Sequence, residues 1–375
     1  MAIRDFNFRP NPGRAVYIIG DFNDTLLSRA VPEINRLRFE NAEPITVFIN
    51  SLGGFTRSLD VLIGCLWDGD LEAHDCRIIT VATGDSASSA ATLLALGDYT
   101  IAYPRSEIHF HGVRIGEREV TTESASECAL VLAEKNLQIA FKLADTMIRK
   151  VGHRFSLACE EFSKIREAEG ETLTELDCFV RLISNRVGER AAEIVNGAYL
   201  KTTTALTLHT TVLPKAQFAD CSTALEQDVA VFKAVVEHEI ATINEKGWRL
   251  DEKGCSQIMS DYLLLRDYAI GKHQSSLEWV ARQVGISFLN SAEFAEFIRR
   301  NEQSQKDALE WRINTVIPRV RPFWYFTVRL CQQLQEGENR LSPRDAYWLG
   351  VVDEVYGTPL QGFRAVMEAE PAVSA

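Results

Sequence analysis

Much that would place this chain quickly is missing from it. No two of its eight cysteines (Cys65, Cys76, Cys128, Cys159, Cys178, Cys221, Cys255 and Cys331) form a C-x-x-C pair, so neither a zinc knuckle nor a disulfide framework is in view. A reducing cytoplasm fits that usage. The longest nearly apolar stretch, around Ala87 to Leu96, is about half of what spans a bilayer. The opening MAIRDFNFRPNPGR has no apolar run, which argues against a secretory signal. Positive charge is also short, because 40 Lys and Arg against 52 Asp and Glu leave a net charge of −12. An acidic chain repels phosphate backbones and anionic headgroups, so nucleic acid and membrane surfaces are poor partners.

What remains is ordinary globular composition: 46% hydrophobic and 25% charged residues, with 22 Gly and 11 Pro in 375 residues. That length predicts two or three domains, or one domain with a large insertion. From Arg14 to about Pro104 short apolar runs alternate with helical periods. Ala15 to Ile19, Ile45 to Ile49 and Arg77 to Ala82 read as buried strands, and residues 25–37, 59–66 and 89–96 as the helices between them. Strand and helix in alternation predict a parallel sheet with crossover helices. One more strand is expected at Glu107 to His111, then a long helix from Val120 to Lys150 that is apolar on more than one face. Residues 155–335 are mostly helical by pattern, and the end of the chain reads as a frayed tail.

Two features carry chemistry. Asn50-Ser51-Leu52-Gly53-Gly54 is a loop whose glycines permit positive φ and close backbone approach. Ser88 falls where the third strand gives way to a small-residue helix, the place where nucleophiles and ligands sit in α/β sheets. The N–H of Ser89 has no intrahelical acceptor there, and a glycine N–H from the preceding loop could join it around an oxyanion. A serine hydroxyl needs a base. His111, 111 − 88 = 23 residues later on the next strand, is the natural one. The blander reading is that Ser88 merely caps a helix and that the histidine is a half-buried structural side chain.

The stretches AVYIIGDFND (Ala15 to Asp24), VFINSLGG (Val47 to Gly54), TVATGDSASSAATLLALGD (Thr80 to Asp98) and YPRSEIHFH (Tyr103 to His111) resemble, in order and spacing, the Clp protease proteolytic subunit, ClpP. The resemblance implies a ClpP/crotonase-type α/β fold of repeated β-β-α (spiral) units. It implies Ser88 as nucleophile, His111 as base and the N–H groups of Gly54 and Ser89 as oxyanion donors. NRLSPRDAYWLGVVDEV (Asn339 to Val355) is similar to the family's closing segment and puts Glu338 at the position of the triad acid, where glutamate can also orient a histidine. The sequence departs from the family pattern at Leu52 for proline, Ser89 for methionine and Gly112 for glutamine. It also separates base from acid by 338 − 111 = 227 residues, which implies a large helical insertion. A weaker copy of the closing segment, Tyr199 to Leu213, has Gly197 at the acid position.

The expected organisation is therefore a catalytic domain of residues 1–150 plus 335–365, a mostly helical insertion at 151–334 and a tail at 366–375. The expected activity is a serine-type endopeptidase that acts on unfolded polypeptide or peptides and needs no cofactor or metal. The family resemblance adds a homo-oligomeric ring, through the long helix, and an AAA+ unfoldase as partner. The competing expectation is a silent ClpP- or crotonase-like scaffold whose inserted helices bind a partner. Three lesser readings are a zinc site at His109 and His111, a G-x-S-x-G elbow centred on Ser86, and a helix-turn-helix over Ser276 to Arg300.

Overall fold

The computed structural model describes residues 9–67, 73–114, 174–212, 322–323 and 325–360, and, between these, residues 128, 131–132, 135–148, 150–151 and 154. The helix-turn-helix-like stretch and the tail lie outside the described residues. Strands β1 (Ala15–Ile19), β2 (Ile45–Ser51), β3 (Ile78–Ala87) and β4 (Tyr99–Ala102) pair in sequence order, all parallel. Between them run α1 (Asp24–Glu40), α2 (Thr56–Trp67) and α3 (Ser89–Ala95). Leu26, Ala30, Ile34 and Leu37 of α1 and Leu59, Leu62 and Leu66 of α2 recur every three or four residues, and all are buried. Asn23 starts α1 by accepting the Leu26 N–H at 3.0 Å. Pro32 sits inside that helix without ending it.

The sheet differs from the sequence reading at β3. Expected to turn at Thr83, this strand continues to Ala87 and changes neighbours: residues 79–82 pair with β4 and residues 85–87 with β5 (Glu107–Phe110). The Asn50 side chain makes the change possible, since its Oδ1 accepts the Asp85 N–H at 3.1 Å where β2 no longer supplies a regular ladder. Strand β4 was not foreseen, because the apolar run Tyr99 to Ala102 is only four residues long.

After β5 the described residues form α4 (135–148), α5 (Glu175–Ser184), α6 (Glu189–Val212) and α7 (325–335). The closing segment then adds β6 (Asn339–Leu341), antiparallel to β5, α8 (Pro343–Trp348) and β7 (Glu354–Val355), parallel to β4. Residues 199–212 are helical, so Asn339 to Val355, and not the weaker copy, lies on the sheet.

The second apolar face of the long helix, assigned from sequence to a neighbouring subunit, is covered within the chain over 137–151. Leu137 is buried, and Ala140, Leu143, Ala144, Met147, Ile148 and Val151 join the core that also holds Phe326, Val328, Cys331 and Leu334 of α7. Met147 Sδ meets Cys331 Sγ at 3.5 Å. Among the described residues of this helix Val131 is the large apolar side chain left exposed. Among the described residues no helix is long and apolar enough to cross a membrane.

Where α5 and α6 meet, a carboxylate and a phenol set a pH window. Burial alone would raise the Asp177 carboxyl. The Tyr199 hydroxyl at 2.5 Å and the Thr174 N–H at 2.8 Å nevertheless hold it below the ordinary 3.8. Tyr199 is pushed up to about 12 by burial and by the same bond. A carboxyl lowered on folding stabilises above its unfolded value and loses that contribution as pH falls through the folded value. A phenol raised on folding stabilises below its unfolded value and loses it as pH rises through the folded one. Thermal unfolding is therefore expected to lose stability below about pH 4, and Asp177→Asn is expected to flatten this acid limb.

Candidate active site

The turn between β3 and α3 carries the most unusual backbone among the described residues. Ser88 has φ 56° and ψ −123°, and no other described non-glycine residue has a positive φ. A side chain held there costs about 1–3 kcal/mol, and such strain concentrates at functional sites. Ser88 stands at the N-cap position of α3, yet its hydroxyl makes no capping bond. The bland reading of this serine as a helix cap therefore fails. Its own N–H donates to the His109 carbonyl at 2.8 Å, which fastens the turn to β5.

The two glycines are required by closeness. Gly53 has φ 91°, and a Cβ there would stand 2.6 Å from both the Ser88 Cβ and the Ala87 carbonyl oxygen. Gly54 has φ 146°, and a Cβ there would stand 2.7 Å from the Phe22 carbonyl oxygen. The Gly53 N–H is taken by Ser51 Oγ at 3.0 Å, and the Gly53 carbonyl accepts the Phe22 N–H at 2.8 Å. The Ser89 hydroxyl donates to the Gly54 carbonyl at 3.0 Å, tying the loop to the start of α3. Among the described residues the N–H groups of Gly54 and Ser89 donate to nothing. Gly53→Ala is expected to push the Ser88 turn out of place and to lower any Ser88-dependent turnover by at least tenfold while the sheet persists, as compared by peptide assay and circular dichroism.

His109 and His111 point to one face, their rings edge to face with centroids 5.8 Å apart. The Nδ1 of His111 lies 2.7 Å from the Gly112 carbonyl oxygen, an arrangement that puts the proton on Nδ1 and leaves Nε2 as the basic nitrogen. The antiparallel register Ile108↔Leu341, His109↔Arg340, Phe110↔Asn339 ends one residue short of His111 and Glu338, which follow directly on its last pair. The Glu338 carboxylate nevertheless leans elsewhere: Oε2 lies 2.8 Å from His109 Nε2, and Oε1 is taken by Arg114. Sequence reasoning gave this carboxylate to His111 and missed Arg114, since nothing in the spacing links residues 224 apart. It missed Asn136 as well, whose Oδ1 accepts the Val113 N–H at 2.7 Å and so anchors the strand end behind His111.

Burial, then the neighbouring His111 and Arg340, lower the His109 imidazole below its ordinary range, so His109 sits neutral beside Glu338 and Arg114 is the charged partner. No group of three or more His, Cys, Asp or Glu side chains among the described residues is placed to hold a metal ion. Ser86, the centre of the alternative elbow, is fully buried within β3.

The sequence profile of the family described as Clp protease matches residues 11–156, the segment that contains β1 to β5 and the Ser88 turn. Over those residues the chain is ClpP-like. A curated relative, the ATP-dependent Clp protease proteolytic subunit of Carsonella ruddii (strain PV), is 28% identical over 146 residues, which cover 36% of this chain and 73% of the relative. The parallel-dominated sheet is that expected of the ClpP fold. The closing segment lies outside the match.

Proposed function

We propose that this ClpP-like chain is a serine peptidase that hydrolyses peptide bonds in unfolded polypeptide or peptides. The observation that carries the reading is the strained, uncapped Ser88 packed against Gly53. Its hydroxyl attacks the scissile carbonyl while His111 Nε2 takes the proton, and the N–H groups of Gly54 and Ser89 receive the oxyanion. His111 then returns that proton to the leaving amine, and a water deprotonated by the same imidazole hydrolyses the ester on Ser88. Glu338 is proposed as the acid of this arrangement on the resemblance of Asn339 to Val355 to the family's closing segment. Leu52 and Phe55, both exposed beside the glycines, offer apolar surface to the peptide. Assembly into rings through the exposed start of the long helix, cooperation with an AAA+ unfoldase and a cytoplasmic setting belong to the same proposal and rest on the family resemblance.

A specific observation favours the silent-scaffold alternative, namely that Glu338 is engaged by His109 and Arg114. Turnover of fluorogenic peptides separates the two. His111→Ala is expected to lower turnover by on the order of 10³-fold or more. Turnover that is unaffected by this substitution would leave only the scaffold.

A further inference from the structure

The backbone and the side chain of Glu338 disagree about its partner. The register of β5 and β6, continued by one residue, would set it opposite His111, while its carboxylate lies 2.8 Å from His109 Nε2 and is held by the Arg114 guanidinium. His111 meanwhile spends its Nδ1 hydrogen bond on the Gly112 carbonyl. We propose that Arg114 and His109 form a latch that withholds the Glu338 carboxylate from His111, so that the resting site is a Ser88–His111 dyad oriented by a backbone carbonyl.

The latch is built to open. Both charged ends are exposed, with 55% of the Glu338 side chain and 62% of the Arg114 side chain in solvent. Exposed ion pairs are weak and compete poorly with a better-aligned partner. The inner end is a contact and not an aligned hydrogen bond: the His109 side chain is only 17% exposed, and its Nε2 lies 2.8 Å from the carboxylate without hydrogen-bond geometry, while its carbonyl holds the Ser88 N–H. Arg114 follows directly on Val113, whose N–H is anchored by Asn136 of α4. Movement of this strand end, for instance when substrate or another subunit meets it, would carry Arg114 away and release the carboxylate. Arg114 and His109 are thus positioning residues that act through Glu338, and none of the reacting atoms touches them.

The inference rests on the peptidase reading, so its test has two readouts on the full-length protein. One is kcat and KM for a fluorogenic peptide, together with the rate of labelling by a fluorophosphonate. The other is the proton resonance of the His111 Nδ1–H, which moves strongly downfield when a carboxylate replaces a carbonyl as acceptor. Arg114→Ala is expected to raise kcat about fivefold with KM unchanged, the size set by one exposed ion pair. It is also expected to bring out the downfield resonance. Arg114→Lys keeps the cation and is expected to stay near the parent. In the Arg114→Ala background, Glu338→Ala is expected to cancel the gain. His109→Leu adds a second route to release, and exposed Arg114 keeps the test intact if that variant folds poorly. Unchanged kcat and an unmoved resonance in Arg114→Ala would overturn the latch. A resonance that moves without labelling of any variant would keep the latch and defeat the peptidase reading.

Discussion

Ser88→Ala is expected to abolish peptide turnover, by on the order of 10³-fold or more, and to leave the unfolding free energy nearly unchanged. The second half of this expectation distinguishes a nucleophile from a structural serine. A capping serine replaced by alanine costs about 1 kcal/mol, but the Ser88 hydroxyl caps nothing. The alanine inherits the same φ of 56° and the same strain. Ser88→Gly is expected to go further and stabilise the fold by about 1 kcal/mol, the relief of roughly 1–3 kcal/mol of backbone strain less the added chain entropy of glycine. Activity and stability would then move in opposite directions at one residue, measured by the same peptide assay and by chemical denaturation.

The largest stability effect is expected at Arg154. This side chain is fully buried, lies 3.7 Å above the Tyr347 ring and donates to the carbonyls of Tyr347, Val352 and Asp353 at 3.2, 2.8 and 3.3 Å. Burial disfavours its charge, and the three carbonyls are what make the charge tolerable. Lys150 does the same one turn earlier, donating to the carbonyls of Ala95 and Val351 and to the Thr100 hydroxyl at 3.1, 3.1 and 2.9 Å, with Asp353 at 3.6 Å. These two cations join residues 150 and 154 to the closing segment, and so hold that segment against the sheet. Arg154→Ala is expected to lower the unfolding free energy by about 3–5 kcal/mol, because it strands the carbonyls. Arg36, in exposed pairs with Glu33 and Glu40, is expected to matter far less. Denaturant unfolding of both variants makes the comparison.

The parallel core was legible because its signals are local. AVYII and ITVFI are uninterrupted β-rich runs, and Leu59, Leu62 and Leu66 keep a helical period. The Ser88 turn was legible as a place in the fold, whereas its φ was not: a serine before a small-residue helix reads as a cap, and only the packing of Gly53 against its Cβ separates the two. The end of β3 was misread as a turn because the hydrogen bond that sustains the strand comes from Asn50, 35 residues earlier. The same kind of distance hid the fate of Glu338. Its assignment to His111 follows from matching the closing segment, but a carboxylate chooses among neighbours by geometry and charge, and Arg114 has no counterpart in any motif. The covered face of α4 was hidden for a related reason, since periodicity reports that a face is apolar and not what covers it.

The central claim is that Ser88 is an activated nucleophile, and mass-mapped labelling by a fluorophosphonate tests it most directly. The account predicts a single adduct on the peptide that carries Ser88, slowed strongly in His111→Ala and absent in Ser88→Ala. A folded protein that forms no adduct at Ser88, or forms it equally fast without His111, would contradict it.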